Sequence, residues 1–205
     1  MKNYWTISRK FEQNMNRLQK PKKETFKKRL QNYLIKFKTK SPQITEKYKY
    51  FLAGFIEGEG SFYVGLKKNS TSKYGLKVDP AFSVTQNKTG VVHLIAFMVL
   101  FQTGRIDFKS GSENTYVFKI ENRQSLVEKV IPFYKSYVLP LTCSTKKQIF
   151  NNWVNVINKL DQGVHKTSEG LAYEILPLVF ASRTKGKREK SLQDYQKLVL
   201  LGVRQ

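Results

Sequence analysis

The chain has 205 residues, 40% hydrophobic and 13% aromatic, which is enough for one cored domain with or without a sizeable extension. Its 37 Lys and Arg against 15 Asp and Glu give a net charge of +22. Such a charge repels itself unless a polyanion neutralises it, so nucleic acid leads as partner, ahead of an anionic membrane surface or a ribosome. No apolar run approaches the ~18 residues of a membrane-spanning helix, and the lone Cys143 excludes an internal disulfide and a thiolate zinc site; with only His93 and His165 besides, any catalysis falls to carboxylates, lysines and amides.

Residues 1–44 read as a basic N-terminal extension. Residues 1–40 carry thirteen Lys and Arg and two acids, Glu12 and Glu24, for +11. Within it Phe26, Leu30, Tyr33, Leu34 and Phe37 fall at helical spacing. A transit peptide, a nucleic-acid-binding arm and read-through from an upstream exon all fit this composition. The abundance of Lys, Asn, Ile, Phe and Tyr, residues of AT-rich codons, points to an organellar genome, with a mitochondrion ahead of a chloroplast.

The remaining residues, 45–205, form the predicted folded domain. Thr45 caps a helix running to about Glu57, with Tyr48, Phe51, Leu52, Phe55 and Ile56 as its apolar stripe. A half-buried strand follows, turning Phe62, Val64 and Leu66 inward and Ser61, Tyr63 and Lys67 outward. After the turn "NSTSKYG" a second strand directs Val78, Phe82 and Val84 inward and Lys77, Asp79, Ser83 and Thr85 outward. Next come an apolar helix, Val91 to Phe101, and a hairpin of two short strands around Ile106–Lys109 and Thr115–Ile120. Further helices are expected near Gln124–Lys135, Lys147–Lys159, Ser168–Ser182 and Leu192–Leu201, and Cys143 reads as a small buried residue. The predicted class is α+β, an αββαββα core whose antiparallel four-stranded sheet is backed by helices. Its open face would present Ser, Thr, Tyr, Lys and Arg, with Arg105, Lys109 and Lys119 among them, to base edges and phosphates.

The stretch "YKYFLAGFIEGEGSFYV" carries the chemistry. Gly54 and Gly58 lie four apart on one helix face beside Ala53, and each interior glycine costs about 1 kcal/mol relative to Ala. Close approach of a second helix is the reason such positions are kept small. Glu57 and Glu59 stand at a helix C-terminus, where the dipole disfavours acid. A divalent cation reverses that penalty, and Mg²⁺ (or Mn²⁺) suits one or two carboxylates completed by water and phosphate oxygens. A phosphate loop fits poorly, because "GEGSF" lacks a third glycine and follows a helix.

"FLAGFIEGEGSF" closely resembles the signature of LAGLIDADG homing endonucleases, with Leu52 to Gly60 as its nine positions. "FSVTQNKTG", "LPLTCSTKKQIFNNWVNVI" and "HKTSEGLAYEILPLVFASRTKGKRE" resemble later segments of the same family, so the likeness runs roughly from Thr45 to Glu189. It implies that Glu59 ligates the metal, that Gly58 lends a carbonyl, and that Glu57 is a helix-end or supporting group. It also implies that Gln86 orients the attacking water and that Lys146 or Lys147 stabilises developing charge. Lys88, shortly after the glutamine, stands nearest to a basic position of the family. Glutamate replaces the commoner aspartate at both acidic positions. With one signature for two strands, the resemblance implies a homodimer with Ala53, Gly54 and Gly58 at its interface, acting on a near-palindromic double-stranded DNA target. The resemblance equally admits an intron-RNA maturase or an inactive nucleic-acid- or ribosome-binding protein.

Overall fold

The computed structural model describes residues 24–109, 111–112, 114–181 and 190–202. Most of the basic extension (1–23), part of the expected hairpin turn (Ser110 and Glu113) and the "SRTKGKRE" tail (182–189) lie outside the described residues. In chain order the elements are α1 (Phe26–Lys36), α2 (Glu46–Glu59), β1 (Gly60–Lys68), β2 (Leu76–Asn87), α3 (Val91–Phe101), β3 (Arg105–Phe108) and β4 (Thr115–Ile120). Then follow α4, a helical segment over 123–138 that alternates α and π turns, and α5 (Ser144–Asp161). The segment α6 passes from π turns at Gly170–Ile175 into α-helix at Leu176–Ala181, and α7 is Leu192–Leu200.

The four strands form one antiparallel sheet in the order β1-β2-β4-β3. The helix order around it is the αββαββα expected from the pattern of apolar residues. Phe62 pairs with Phe82, and Phe82 with Ile120, so the inner face is set by register. On that face Phe62 meets Phe82, Tyr134, Phe150 and Trp153 with ring centroids 4.8–5.4 Å apart, tying β1 to α4 and α5. Phe97, Phe101 and Phe118 stack nearly parallel on the other half, tying α3 to β4. The core is therefore an aromatic layer between sheet and helices.

The helix α2 begins as predicted: the Thr45 hydroxyl accepts the Tyr48 N–H at 3.3 Å. It ends two residues later than the sequence suggests, at Glu59, and β1 starts without a linker at Gly60. A side chain at Gly60 would sit 2.5 Å from the Ile56 carbonyl oxygen, so only glycine allows the chain to leave the helix straight into the sheet. Two expectations are corrected. Ala53, placed by spacing on the pairing face, is core, 4% exposed. Ser83 keeps its outward register but is buried, because a short side chain in a central strand is shielded by neighbours on both sides, Ser61 and Lys119.

Helix α1 packs onto the same core through Phe26, Leu30, Tyr33, Leu34 and Phe37. Its Tyr33 hydroxyl donates to the Ile106 carbonyl at 2.7 Å and accepts the Ile106 N–H at 3.1 Å. Arg29 donates to the Gly104 carbonyl at 2.8 Å. The open edge of β3 would otherwise present these groups as a template for another strand.

Candidate active site and nucleic-acid face

The two glutamates of the signature have different environments. Glu57 reaches across to the start of α5: the Thr142 hydroxyl donates to one of its oxygens, and the Cys143 N–H to the other at 3.2 Å. Thr142 in turn bonds the Tyr134 hydroxyl of α4 at 3.1 Å. The carboxylate at the end of α2 thus sits at the N-terminus of α5, where the dipole favours negative charge. Partial burial pushes the Glu57 carboxyl up, but the Thr142 and Cys143 hydrogen bonds and the Lys146 charge outweigh it and hold the group below its ordinary value. The sequence argument that both acids hold metal is corrected to this extent: both Glu57 oxygens are engaged by protein donors. Cys143, expected to be buried, is exposed, because its backbone is what the clasp uses.

Glu59 is exposed at the last position of α2. The α5 helix starts at Ser144, three residues before the sequence suggests, which places Lys146 and Lys147 in its first turn. Lys146 Nζ comes within 3.5 Å of the Gly58 carbonyl oxygen, whereas Lys147 is exposed. Of the two candidate lysines, of which the sequence puts Lys146 first, Lys146 is therefore the one beside Gly58. Gly60 pairs with Val84, so β2 continues past the start of β1 and carries Thr85 and Gln86 alongside the end of α2. Gln86 Oε1 accepts the Asn87 N–H at 2.7 Å. Its side chain lies over Gly90, where an added Cβ would meet Gln86 Cγ at 2.5 Å.

Gly54 and Gly58 face open space, with no atom within 4 Å of a Cβ built on either. Exposed Tyr50 and Phe51 continue this face toward the N-terminus of α2. As metal donors, the Glu59 carboxylate and Gly58 carbonyl are hard oxygens of the kind Mg²⁺ takes. Among the described residues no group of three or more His, Cys, Asp or Glu side chains could hold a metal ion. Glu59 and the Gly58 carbonyl thus amount to a partial donor set, of the kind that water and phosphate oxygens complete around Mg²⁺.

On the outer face of the sheet, Ser61, Ser83, Lys119 and Arg105 align in one cross-strand row that starts two residues from Glu59. Tyr63, Lys67, Lys77, Arg105 and Lys109 are exposed, and Thr85 and Lys119 partly so. Lys88 lies in a 3₁₀ turn after β2, exposed, its N–H bonded to the Asn114 carbonyl at 2.8 Å. Sequence reasoning missed Thr142 and Tyr134 behind Glu57, and Tyr33 and Arg29 at the sheet edge. The run of Thr142, Ser144 and Thr145 ahead of a helical stripe was a usable signal for a helix start needing a cap.

The LAGLIDADG endonuclease family matches residues 52–157, the span from the signature helix through most of α5. The chain belongs to that family. The DNA endonuclease I-CeuI of Chlamydomonas moewusii is 43% identical over 157 residues, covering 77% of this chain and 72% of that protein. The structure of group I intron-encoded I-CeuI complexed with DNA is similar with a TM-score of 0.81 and 36% identity, over 93% of this chain and 92% of that one. The archaeal intron-encoded homing endonuclease I-Vdi141I, also complexed with DNA, gives a TM-score of 0.67 and 32% identity over 77% and 98%. I-SmaMI, bound to uncleaved DNA in the presence of calcium ions, gives 0.64 and 27%, over 74% of this chain but only 48% of its own. No helix among the described residues is long and apolar enough to cross a membrane.

Proposed function

We propose that this LAGLIDADG protein is a site-specific DNA endonuclease that hydrolyses one phosphodiester in each strand of a long near-palindromic target, acting as a homodimer with Mg²⁺ or Mn²⁺. The observation that carries the reading is the pair of environments at the end of α2: Glu57 is consumed by a structural clasp, while Glu59 is left exposed beside Gly58 and Lys146. The divalent ion, held by Glu59 and the Gly58 carbonyl, would offset phosphodiester charge and make water more acidic. The residues of the chain supply the rest. Gln86, at the end of β2 and backed by Gly90, orients the attacking water. Lys146 brings fixed positive charge to the developing phosphorane-like charge. Lys88 and the outward lysines track the backbone, where neutralising phosphates releases counterions.

Dimerisation is supported by the open Gly54/Gly58 face and by length: I-SmaMI, about half of which this chain covers, is long enough for two such units in one chain. An isologous pairing of two α2 helices would bring two Glu59 side chains together, one for each strand. An intron-borne gene fits the intron-encoded relatives, and the composition fits an organellar genome, mitochondrial ahead of chloroplast.

The test is cleavage of a plasmid carrying the intron-lacking target. Wild type with Mg²⁺ linearises it, and Glu59→Gln abolishes cutting while gel-shift binding persists. Intron splicing supported equally by wild type and Glu59→Gln, with no cutting by either, would replace this reading with RNA maturation.

A further inference from the structure

The outer face of a sheet meant for a polyanion carries acids, and they are not scattered. Asp79 holds Lys77 at 2.8 Å and Lys67 at 3.4 Å. Arg105 is held from two sides, its Nε 2.7 Å from Asp107 and its Nη2 2.6 Å from Glu121. Lys119, directly opposite Arg105 on β4, makes no ion pair among the described residues.

These acids contribute little to stability. The Arg105, Asp107 and Glu121 side chains are 47%, 41% and 35% exposed, and an exposed pair is worth about 0–1 kcal/mol. Each carboxylate also repels phosphate. What two of them do well is fix a guanidinium. Arginine has five N–H donors in a planar fork; with Nε and one Nη2 hydrogen engaged, both Nη1 hydrogens and one on Nη2 remain. That free end is the edge that bonds guanine O6 and N7. The two carboxylates also cancel the field that would draw Arg105 to phosphate.

We propose that Arg105, oriented by Asp107 and Glu121, is a sequence-reading residue that recognises a guanine through the major groove, while its cross-strand neighbour Lys119 holds a backbone phosphate. This rests on the DNA-endonuclease reading and divides its outward basic residues into two kinds.

The experiment selects bound duplexes from a randomised pool with the full chain, without divalent cations, using wild type, Arg105→Gln, Lys119→Gln and the double variant Asp107→Asn/Glu121→Gln. Affinity for the wild-type-selected duplex is then followed between about 50 and 200 mM salt. Arg105→Gln is expected to select the same motif with one G·C pair per half-site lost, to bind the original duplex about 5- to 150-fold more weakly for each half-site, and to keep its salt slope. Lys119→Gln keeps every motif position and loses about 1.8 from the slope, about 0.9 for each half-site. The double acid variant blurs the same G·C position and binds random duplex more tightly. Uniform weakening by Arg105→Gln with a reduced slope would make it a phosphate contact and overturn the proposal, as would an unchanged selected motif. If wild type enriches no duplex motif, or enriches only structured RNA, the endonuclease reading falls and the proposal with it.

Discussion

Replacing Glu57 by Gln tests whether this acid is a clasp or a metal ligand. The native carboxylate accepts the Thr142 hydroxyl and the Cys143 N–H. A hydrogen bond to a charged group contributes about 1.5–3 kcal/mol, and the amide keeps one acceptor at a partly exposed site, so the net loss should be about 2 kcal/mol. For a chain of this size that lowers Tm by roughly 4–8 °C near neutral pH. The sign of the pH dependence follows from the direction of the shift. The folded Glu57 carboxyl titrates below its ordinary value of 4.5, so its contribution is complete above that value and disappears as pH falls through the lower folded one. The Tm gap between wild type and Glu57→Gln, read by calorimetry, should therefore be constant above the ordinary carboxyl value of 4.5 and close as the pH falls below it. Turnover should fall about 10- to 100-fold, since α5 carries Lys146, with DNA affinity kept. A gap that stays constant through the acid range, or a Tm unchanged while cleavage is lost, would refute the clasp and return Glu57 to the metal.

A Cβ added at Gly54 meets nothing within 4 Å, so Gly54→Leu should fold with Tm equal to or above wild type, yet sediment as a monomer and make no double-strand breaks. Gly90→Ala displaces Gln86, because the new Cβ would lie 2.5 Å from Gln86 Cγ; kcat should drop about tenfold with little change in Tm or DNA binding. Tyr33→Phe removes both hydrogen bonds to Ile106, costing about 1–2 kcal/mol, and should raise the hydrogen-exchange rate of the Ile106 amide above that of its neighbours in the interior strands.

Much of this molecule was readable from periodicity. Alternation in β1 and β2, the Thr45 cap and the 3.6-residue stripe of α2 are local properties, each set by which face of one element is apolar, and the observed elements match them. The signature glycines were legible too, because an interior glycine is costly unless something must approach it, and Gly54 and Gly58 do face open space. Ends were harder. The apolar stripe carries α2 only to about Glu57, but the helix runs on to Glu59, and Glu57 answers to the N-terminus of another helix eighty-six positions away, at Cys143.

The linear pattern of apolar, glycine and acidic positions was sufficient for the fold class and the family, since those depend on neighbours a few residues apart. Which acid is free, which of two adjacent lysines faces Gly58, why Ala53 and Ser83 are buried, and that Arg105 sits between two carboxylates were decided only by tertiary packing. The physical reason is that a side chain's charge, exposure and hydrogen bonds are set by whatever the fold brings beside it, and those partners lie on elements whose relative placement no local pattern encodes.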